Sequence, residues 1–292
     1  LGEKRIFSNV IASNSSLVLA TRKSPLALKQ ADLVASLIRN VMEEDVELFP
    51  MSTTGDRQAE WSLQDKGGKG LFTKELENAL LEGRADLAVH SAKDLPTDNP
   101  PGLKLSAFPV REDARDTLVI RENISVPKIM ASGSPRRKAQ LKNRFPDTKW
   151  KELRGNVETR LRKIAVDHEA DGTILAAAGL SRLGIQDYPG LRFEKLSIDE
   201  MVPAPGQAAI AIQVRADECE RFAVLDHMET SQAVEIERTI LDRLDGGCQV
   251  ALGVHVVGNN LFFFHEACGI KSLEIGEKSL AIIFEEVLSW LK

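Results

Sequence analysis

The sequence predicts an α/β protein, built as two related α/β domains facing each other and followed by a small α+β domain. Strand, loop and helix signals alternate along most of the chain, as in open α/β sheets. An apolar strand running into Ser-Pro and then a helix occurs twice, at Ser24-Pro25 and Ser134-Pro135, about a hundred residues apart. After Asp226 the pattern becomes helix, strands, helix.

The elements follow in order. Leu17-Val18-Leu19-Ala20 is a short buried strand. Ser24 is an N-cap with Pro25 at the first helical position, and Ala27, Ala31, Val34, Ile38 and Val41 continue at helical spacing. A helix over Lys74–Leu81 stops at Gly83. Leu87-Ala88-Val89 is a buried strand, and His90 to Pro96 form the loop at its carboxyl end, where ligands sit in open α/β sheets. Ile129-Met130-Ala131 leads into Ser134-Pro135 and a helix over Arg136–Phe145. A further helix runs from Val157 to about Ala170, and Thr173–Ala176 is strand-like. Pro203-Ala204-Pro205-Gly206 breaks the pattern before a strand over Gln207–Val214. Ser231–Leu244 is an amphipathic helix stopped by Gly246-Gly247. Gly258-Asn259-Asn260 joins a hairpin, and Leu280–Trp290 is a closing helix.

Composition narrows the function. A chain of 292 residues with 43% hydrophobic and 28% charged positions is an ordinary globular protein of two or three domains. Its net charge of −5 offers no overall basic footprint for nucleic acid. No apolar run reaches the roughly 18–20 residues of a membrane span. Cys219, Cys248 and Cys268 are too sparse for a disulfide framework, which favours a reducing cytoplasm. Residues 1–16 lack the apolar core of a signal peptide, although a trimmed organelle-targeting segment is compatible with them. The 5 histidines have no metal-ligand spacing, so no metal site is expected. Nothing suggests an interface, so a monomer is expected.

Several residues stand where chemistry is done. Arg22 lies just before a helix start, Arg136 and Arg137 just inside another, Arg154 and Arg160 around a third, and Arg182 after a strand. A surface arginine is ordinarily just solvated. Repeated placement at strand-to-helix turns suits carboxylates or phosphates, because the guanidinium fork and the helix N-terminus both favour anions. Asp94 reads as a turn residue or as a carboxylate that steadies a developing cation. Lys93 beside it either orients an anion or is merely exposed. Cys248 follows two glycines, a setting as compatible with a modified thiol as with a structural one. Lys66 to Phe72 is glycine-rich, but no Ser or Thr follows Lys69, so it is not a P-loop. A lid whose lysines reach toward an anion fits it better.

Five blocks now stand in order: Ala20-Thr21-Arg22-Lys23-Ser24-Pro25-Leu26-Ala27, Gly67-Gly68-Lys69-Gly70-Leu71-Phe72, His90-Ser91-Ala92-Lys93-Asp94-Leu95-Pro96, Arg154-Gly155-Asn156-Val157-Glu158-Thr159-Arg160-Leu161 and Gly246-Gly247-Cys248-Gln249-Val250. Together, from about Leu17 to Val257, they resemble the porphobilinogen deaminase (hydroxymethylbilane synthase) family. Asp65, Ala92 and Ala251 depart from the residues common there, and the segment after Val257 is short for it.

The resemblance implies two lobes like those of periplasmic binding proteins and a third small domain. The implied boundaries are 17–109 with 208–226, then 114–202, then 228–292. It implies a transferase that condenses four porphobilinogen molecules, with loss of ammonia, into linear hydroxymethylbilane in tetrapyrrole and heme biosynthesis. It implies a dipyrromethane cofactor held by a thioether on Cys248, with Asp94 as the catalytic carboxylate. Cofactor contacts fall on Asp94, Lys93, Arg22, Ser24, Ser134, Arg136, Arg137 and Gln207. Substrate contacts fall on Arg22, Lys69, Arg154, Arg160 and Arg182. Two rivals remain: a non-catalytic two-lobed anion-binding protein, which needs neither Asp94 nor Cys248, and an inactive paralogue.

Overall fold

The structure, a computed structural model, describes residues 16–57, 70–244 and 251–292. The blocks at Lys69 and Cys248 therefore lie outside the described residues, except for the stretch beginning at Gly70.

The described strands form three sheets. The first has the order β2-β1-β3-β10-β4, from Val46–Met51, Leu17–Arg22, Leu87–Ser91, Ile210–Arg215 and Leu103–Ala107. The second has the order β7-β6-β8-β5-β9, from Lys149–Lys151, Ile129–Ala131, Gly172–Ala176, Asp116–Arg121 and Leu191–Lys195. In each, three strands run parallel, and the fourth and fifth follow through antiparallel pairings. The two sheets thus share one plan, and the two-lobed α/β architecture is present. The third sheet is an antiparallel meander, β11 (Leu252–Val257), β12 (Asn260–His265) and β13 (Gly269–Glu274).

The chain crosses between the lobes twice, once between β4 and β5 and again between β9 and β10. Most of the parallel strands feed helices, whereas β3 runs into a single 3-10 turn. α1 (Pro25–Val41) buries Ala31, Val34, Ala35 and Ile38 against Leu17, Leu19 and Leu87. This apolar stripe at helical spacing is what drives the helix onto the sheet. α2 (Thr54–Arg57) and α3 (Lys74–Leu81) follow in the first lobe. α4 (Pro135–Leu141), α5 (Val157–Ala165) and α6 (Ala177–Arg182) serve the second. After the return strand β10 comes α7 (Cys219–Phe222), which seats Phe222 in the first core. In the third unit, α8 (Met228–Arg243) and α9 (Leu280–Ser289) pack on the meander through Ile240, Phe263, Ile283 and Val287. Among the described residues no helix is long and apolar enough to cross a membrane.

Some element ends differ from the sequence reading. The helix expected to reach about Ala170 stops at Ala165, because His168 takes the left-handed conformation, φ 53°. The strand expected from Gln207 begins only at Ile210, since Ala208 has φ 70° and breaks the extended backbone. The helix expected through Phe145 ends at Leu141.

Candidate active site

The carboxyl ends of β1 and β3 in one lobe face the N-termini of α4 and α5 in the other. Between them lies a cleft of about 620 Å³. Its lining includes five cationic side chains, Arg22, Lys93, Arg137, Arg154 and Arg160, against three carboxylates, Asp56, Asp94 and Glu158.

On the first lobe, β1 ends at Arg22, and Ser24 accepts from the amide of Ala27 at 3.4 Å to start α1. β3 runs into a single 3-10 turn, Ala92–Asp94, which holds Lys93 and the exposed Asp94 toward the cleft. The turn is fixed from behind. Ala92 is buried in an apolar cluster with Leu95, Ala209 and Val234, and its amide donates to Ala209 O at 3.0 Å. Gly206, at φ 70°, passes so close that a Cβ there would lie 3.1 Å from the carbonyl carbon of Ala92 and the amide nitrogen of Lys93. Only glycine meets both demands. Burial pushes the Lys93 ammonium down to about 8, with Asp94 opposing the shift and Arg137 adding to it.

On the second lobe, Asn156 caps α5 by accepting from the Thr159 amide at 2.8 Å. That sets Arg154 just before the helix and Arg160 one turn inside it. Arg160 donates through Nε to Gly155 O at 2.8 Å, and burial, with Arg137 and Arg154 nearby, lowers its pKa to about 10. Asp94 opposes that shift too, so one carboxylate acts on cations of both lobes. Arg154 pairs with Glu152 at 3.1 Å.

Arg136 and Arg137 are organised by a residue that sequence reasoning did not single out. Asp116 is fully buried and takes Arg136 Nη2 on one oxygen and Arg137 Nη2 on the other, both at 2.7 Å. The two guanidinium groups hold its carboxyl far below the usual range against the cost of burial. Arg136 also donates to Val202 O, and Arg137 to Ile174 O. Gln207 is fully buried and donates to Ala114 O and to Asp116. Arg137 lines the cleft, whereas Arg136, Ser134, Gln207 and Arg182 are not among its lining residues. Ser134 accepts from the Arg137 amide, and Arg182 donates to Ala208 O at 2.6 Å, under the strained turn. Three buried polar atoms of this group have no partner among the described residues, Gln207 Oε1, Arg136 Nε and Arg182 Nε.

Asp56 and Phe72 also went unassigned. Asp56 accepts from Arg22 Nε at 3.3 Å and Nη2 at 2.5 Å, and Phe72 lies with its ring centroid 4.3 Å from the Arg22 guanidinium carbon. The readable signal was Thr53-Thr54-Gly55-Asp56, a capping-box pattern: Thr53 donates to Asp56 through its amide and Oγ1, and accepts from the Asp56 amide.

An anion-rich ligand suits this arrangement, because buried or half-buried guanidinium groups favour carboxylates in bidentate geometry. Residues 17–222 match the family described as porphobilinogen deaminase, dipyromethane cofactor binding domain. The porphobilinogen deaminase of Desulfitobacterium hafniense is 44% identical over 251 residues, 83% of this chain and 80% of that protein. That of Syntrophotalea carbinolica is 44% identical over 252 residues, 83% of this chain and 79% of that protein. Among solved structures, the periplasmic VFT2 domain of Bordetella pertussis BvgS aligns with TM-score 0.44 at 18% identity, covering 77% of this chain and 92% of that one.

Proposed function

The chain belongs to the porphobilinogen deaminase family, an enzyme family acting on porphobilinogen in tetrapyrrole biosynthesis, and we propose that it is a transferase joining four porphobilinogen molecules into linear hydroxymethylbilane. The carrying observation is the exposed carboxylate of Asp94 set among five cationic side chains from two lobes.

Each part of the cleft has a task in that reaction. Porphobilinogen carries acetate and propionate arms, and a chain growing from it accumulates more. Arg22, Arg154 and Arg160 hold those arms, with Lys69 as a further contact outside the described residues. Loss of ammonia from the aminomethyl group leaves a cation on the substrate. Asp94, fixed by the turn behind it, stabilises that charge as it develops. The surplus of arginines fits a site that must hold successive products.

The residues present also fit a dipyrromethane. Arg22, Ser24, Lys93, Asp94 and the Asp116-anchored Arg137 line the cleft with donors and acceptors for a polar group, and Gln207 and Arg136 behind them keep unpartnered buried atoms. Lys93, Arg22, Ser24, Ser134, Arg136, Arg137, Gln207 and Asp94 would hold it, Arg182 would add a substrate contact, and Cys248, outside the described residues, would carry it through a thioether. When bound, the group supplies the pyrrole carbon to which the first substrate unit is joined. The working unit in this reading is a cytoplasmic monomer whose partner is a small molecule, with no call for nucleic acid or a membrane.

Incubation with porphobilinogen, followed by oxidation and porphyrin absorbance, tests the activity; absence of product would overturn it. Intact mass tests the tether. It should exceed the sequence mass by one dipyrromethane and resist excess reductant, since a thioether does not exchange with thiols. Cys248→Ser should lose both mass and activity, whereas Cys219→Ser and Cys268→Ser should keep both. An active protein with unmodified Cys248 would remove the tether.

A further inference from the structure

Arg22 is braced on both an edge and a face, and among the described residues the groups that brace it come from the stretch after β2 and before α3. Asp56 takes the side-on edge of the guanidinium, Nε and Nη2. Phe72 covers its face. That close stacking depends on Gly55, because a Cβ there would meet the Phe72 ring at 2.2 Å. Gly55 in turn donates its amide to Leu71 O at 2.8 Å, tying the two halves of the support together. Asp56 is not free to swing: Thr53 donates to the same carboxylate oxygen from its amide at 3.1 Å and from Oγ1 at 2.8 Å. Burial raises the Asp56 pKa, but the Arg22 and Thr53 donors outweigh it and keep the group a carboxylate.

A guanidinium has two edges on which a carboxylate can sit in plane. With the side-on edge taken by Asp56, the end-on edge, Nη1 and Nη2, is left for the cleft, and no partner for Nη1 is found among the described residues. Phe72 fixes the plane of that edge, and Asp56 fixes the rotation within it.

We infer that Asp56 is a positioning residue that aims the end-on edge of Arg22 at a carboxylate arm of the substrate. The inference rests on the reading of the cleft given above and adds to it the group that sets the specificity of one cation. A flexible arginine would lose rotamer freedom on binding, a cost of about 0.5–1.5 kcal/mol per immobilised side chain, which is about two- to tenfold in affinity. The brace removes that cost beforehand.

The test uses the holoenzyme and porphobilinogen. Asp56→Asn keeps the shape and the acceptor for Thr53 but removes the charge that orders Arg22. KM should rise about two- to tenfold with kcat within twofold of wild type. Thr53→Val, which removes the Oγ1 contacts but keeps the amide donor and the charge of Asp56, should move KM in the same direction by less. In an Arg22→Gln background, Asp56→Asn should leave KM within twofold of the Arg22→Gln value, because the effect runs through Arg22 alone. An equal rise in both backgrounds would show a general structural role and overturn the inference. So would an unchanged KM, or a lower one, which would make Asp56 a competitor for Arg22. Activity in the wild type with any of these results sinks the brace and leaves the proposed reaction standing; inactivity of the wild type sinks the reaction itself.

Discussion

Arg111 donates both Nη atoms to the two carboxylate oxygens of Glu237, at 2.7 and 2.9 Å, and so ties the first crossing between the lobes to helix α8 of the third unit. Glu237 is fully buried and also accepts from the amides of Gly206 and Val256 and faces His255 Nδ1 at 3.2 Å. Arg111 Nε reaches Gln207 O at 2.9 Å. Both crossings are thus held on one carboxylate, directly behind the turn that carries Lys93 and Asp94.

Glu237→Gln should therefore destabilise the whole protein. Removing one partner of a buried ion pair costs about 3–5 kcal/mol, to be read as a drop in the urea midpoint at neutral pH. The Glu237 carboxyl lies below its ordinary value of 4.5, because Arg111 and His255 outweigh burial. Its contribution is present above that value and is lost as pH falls toward the lowered one. The gap between wild type and Glu237→Gln should close on acidification. A gap constant down to the acid transition would refute the assignment.

Asp94→Asn should fold normally and lose about 10²–10³ in turnover, the usual effect of removing one well-placed electrostatic contact. Asp94 is exposed at the end of a turn whose fixing contacts are made by Ala92 and Gly206 instead. Turnover within threefold of wild type would remove it from the chemistry.

The arginines should divide by what they touch. Arg136→Leu leaves Asp116 with a buried charge half paired, and should cost about 3–5 kcal/mol in stability. Arg154→Leu loses a half-exposed pair with Glu152 and should cost under about 1 kcal/mol. Arg154→Leu and Arg160→Leu should instead change the ladder of bound intermediates seen by native mass spectrometry at limiting porphobilinogen. A ladder identical to wild type in both would count against their part in holding the growing chain.

Lys93 gives a pH signature. Its ammonium titrates near 8 in the unliganded protein, so the cleft loses a positive charge as pH rises through that value. Affinity for porphobilinogen should fall above pH 8 in the wild type. Lys93→Arg keeps its charge across the window and should flatten the decline. An identical pH profile of KM in the two proteins would exclude the ammonium as the titrating group.

What was legible in the sequence was local. Ser24-Pro25 and Ser134-Pro135 announce helix starts because capping chemistry lies within four residues, and the cations set by those starts were readable with them. Asp116 was not, because it lies 20 residues before Arg136 at the head of an apolar strand. Nothing in the spacing says that its charge will be buried between two arginines. Glu237 has the same character: on α8 it occupies the apolar stripe of Ala233 and Ile240, and its partners Arg111 and His255 come from remote segments. Strands β4, β7, β9 and β13 are short or edge strands of mixed polarity, and such strands lack the alternation that makes inner strands readable.

A ribosome delivers this chain in an order that the first sheet cannot use at once. β1, β2 and β3 emerge early, yet β10, the strand that joins β3 to β4, ends at Arg215. The second sheet runs without interruption from Asp116 to Lys195. It has all its strands while β3 still presents an open edge and β4 has no neighbour. An open edge on a nascent chain invites pairing with the wrong strand. The half of the cleft that carries Arg137 and Arg160 is therefore complete before the half that carries Lys93 and Asp94.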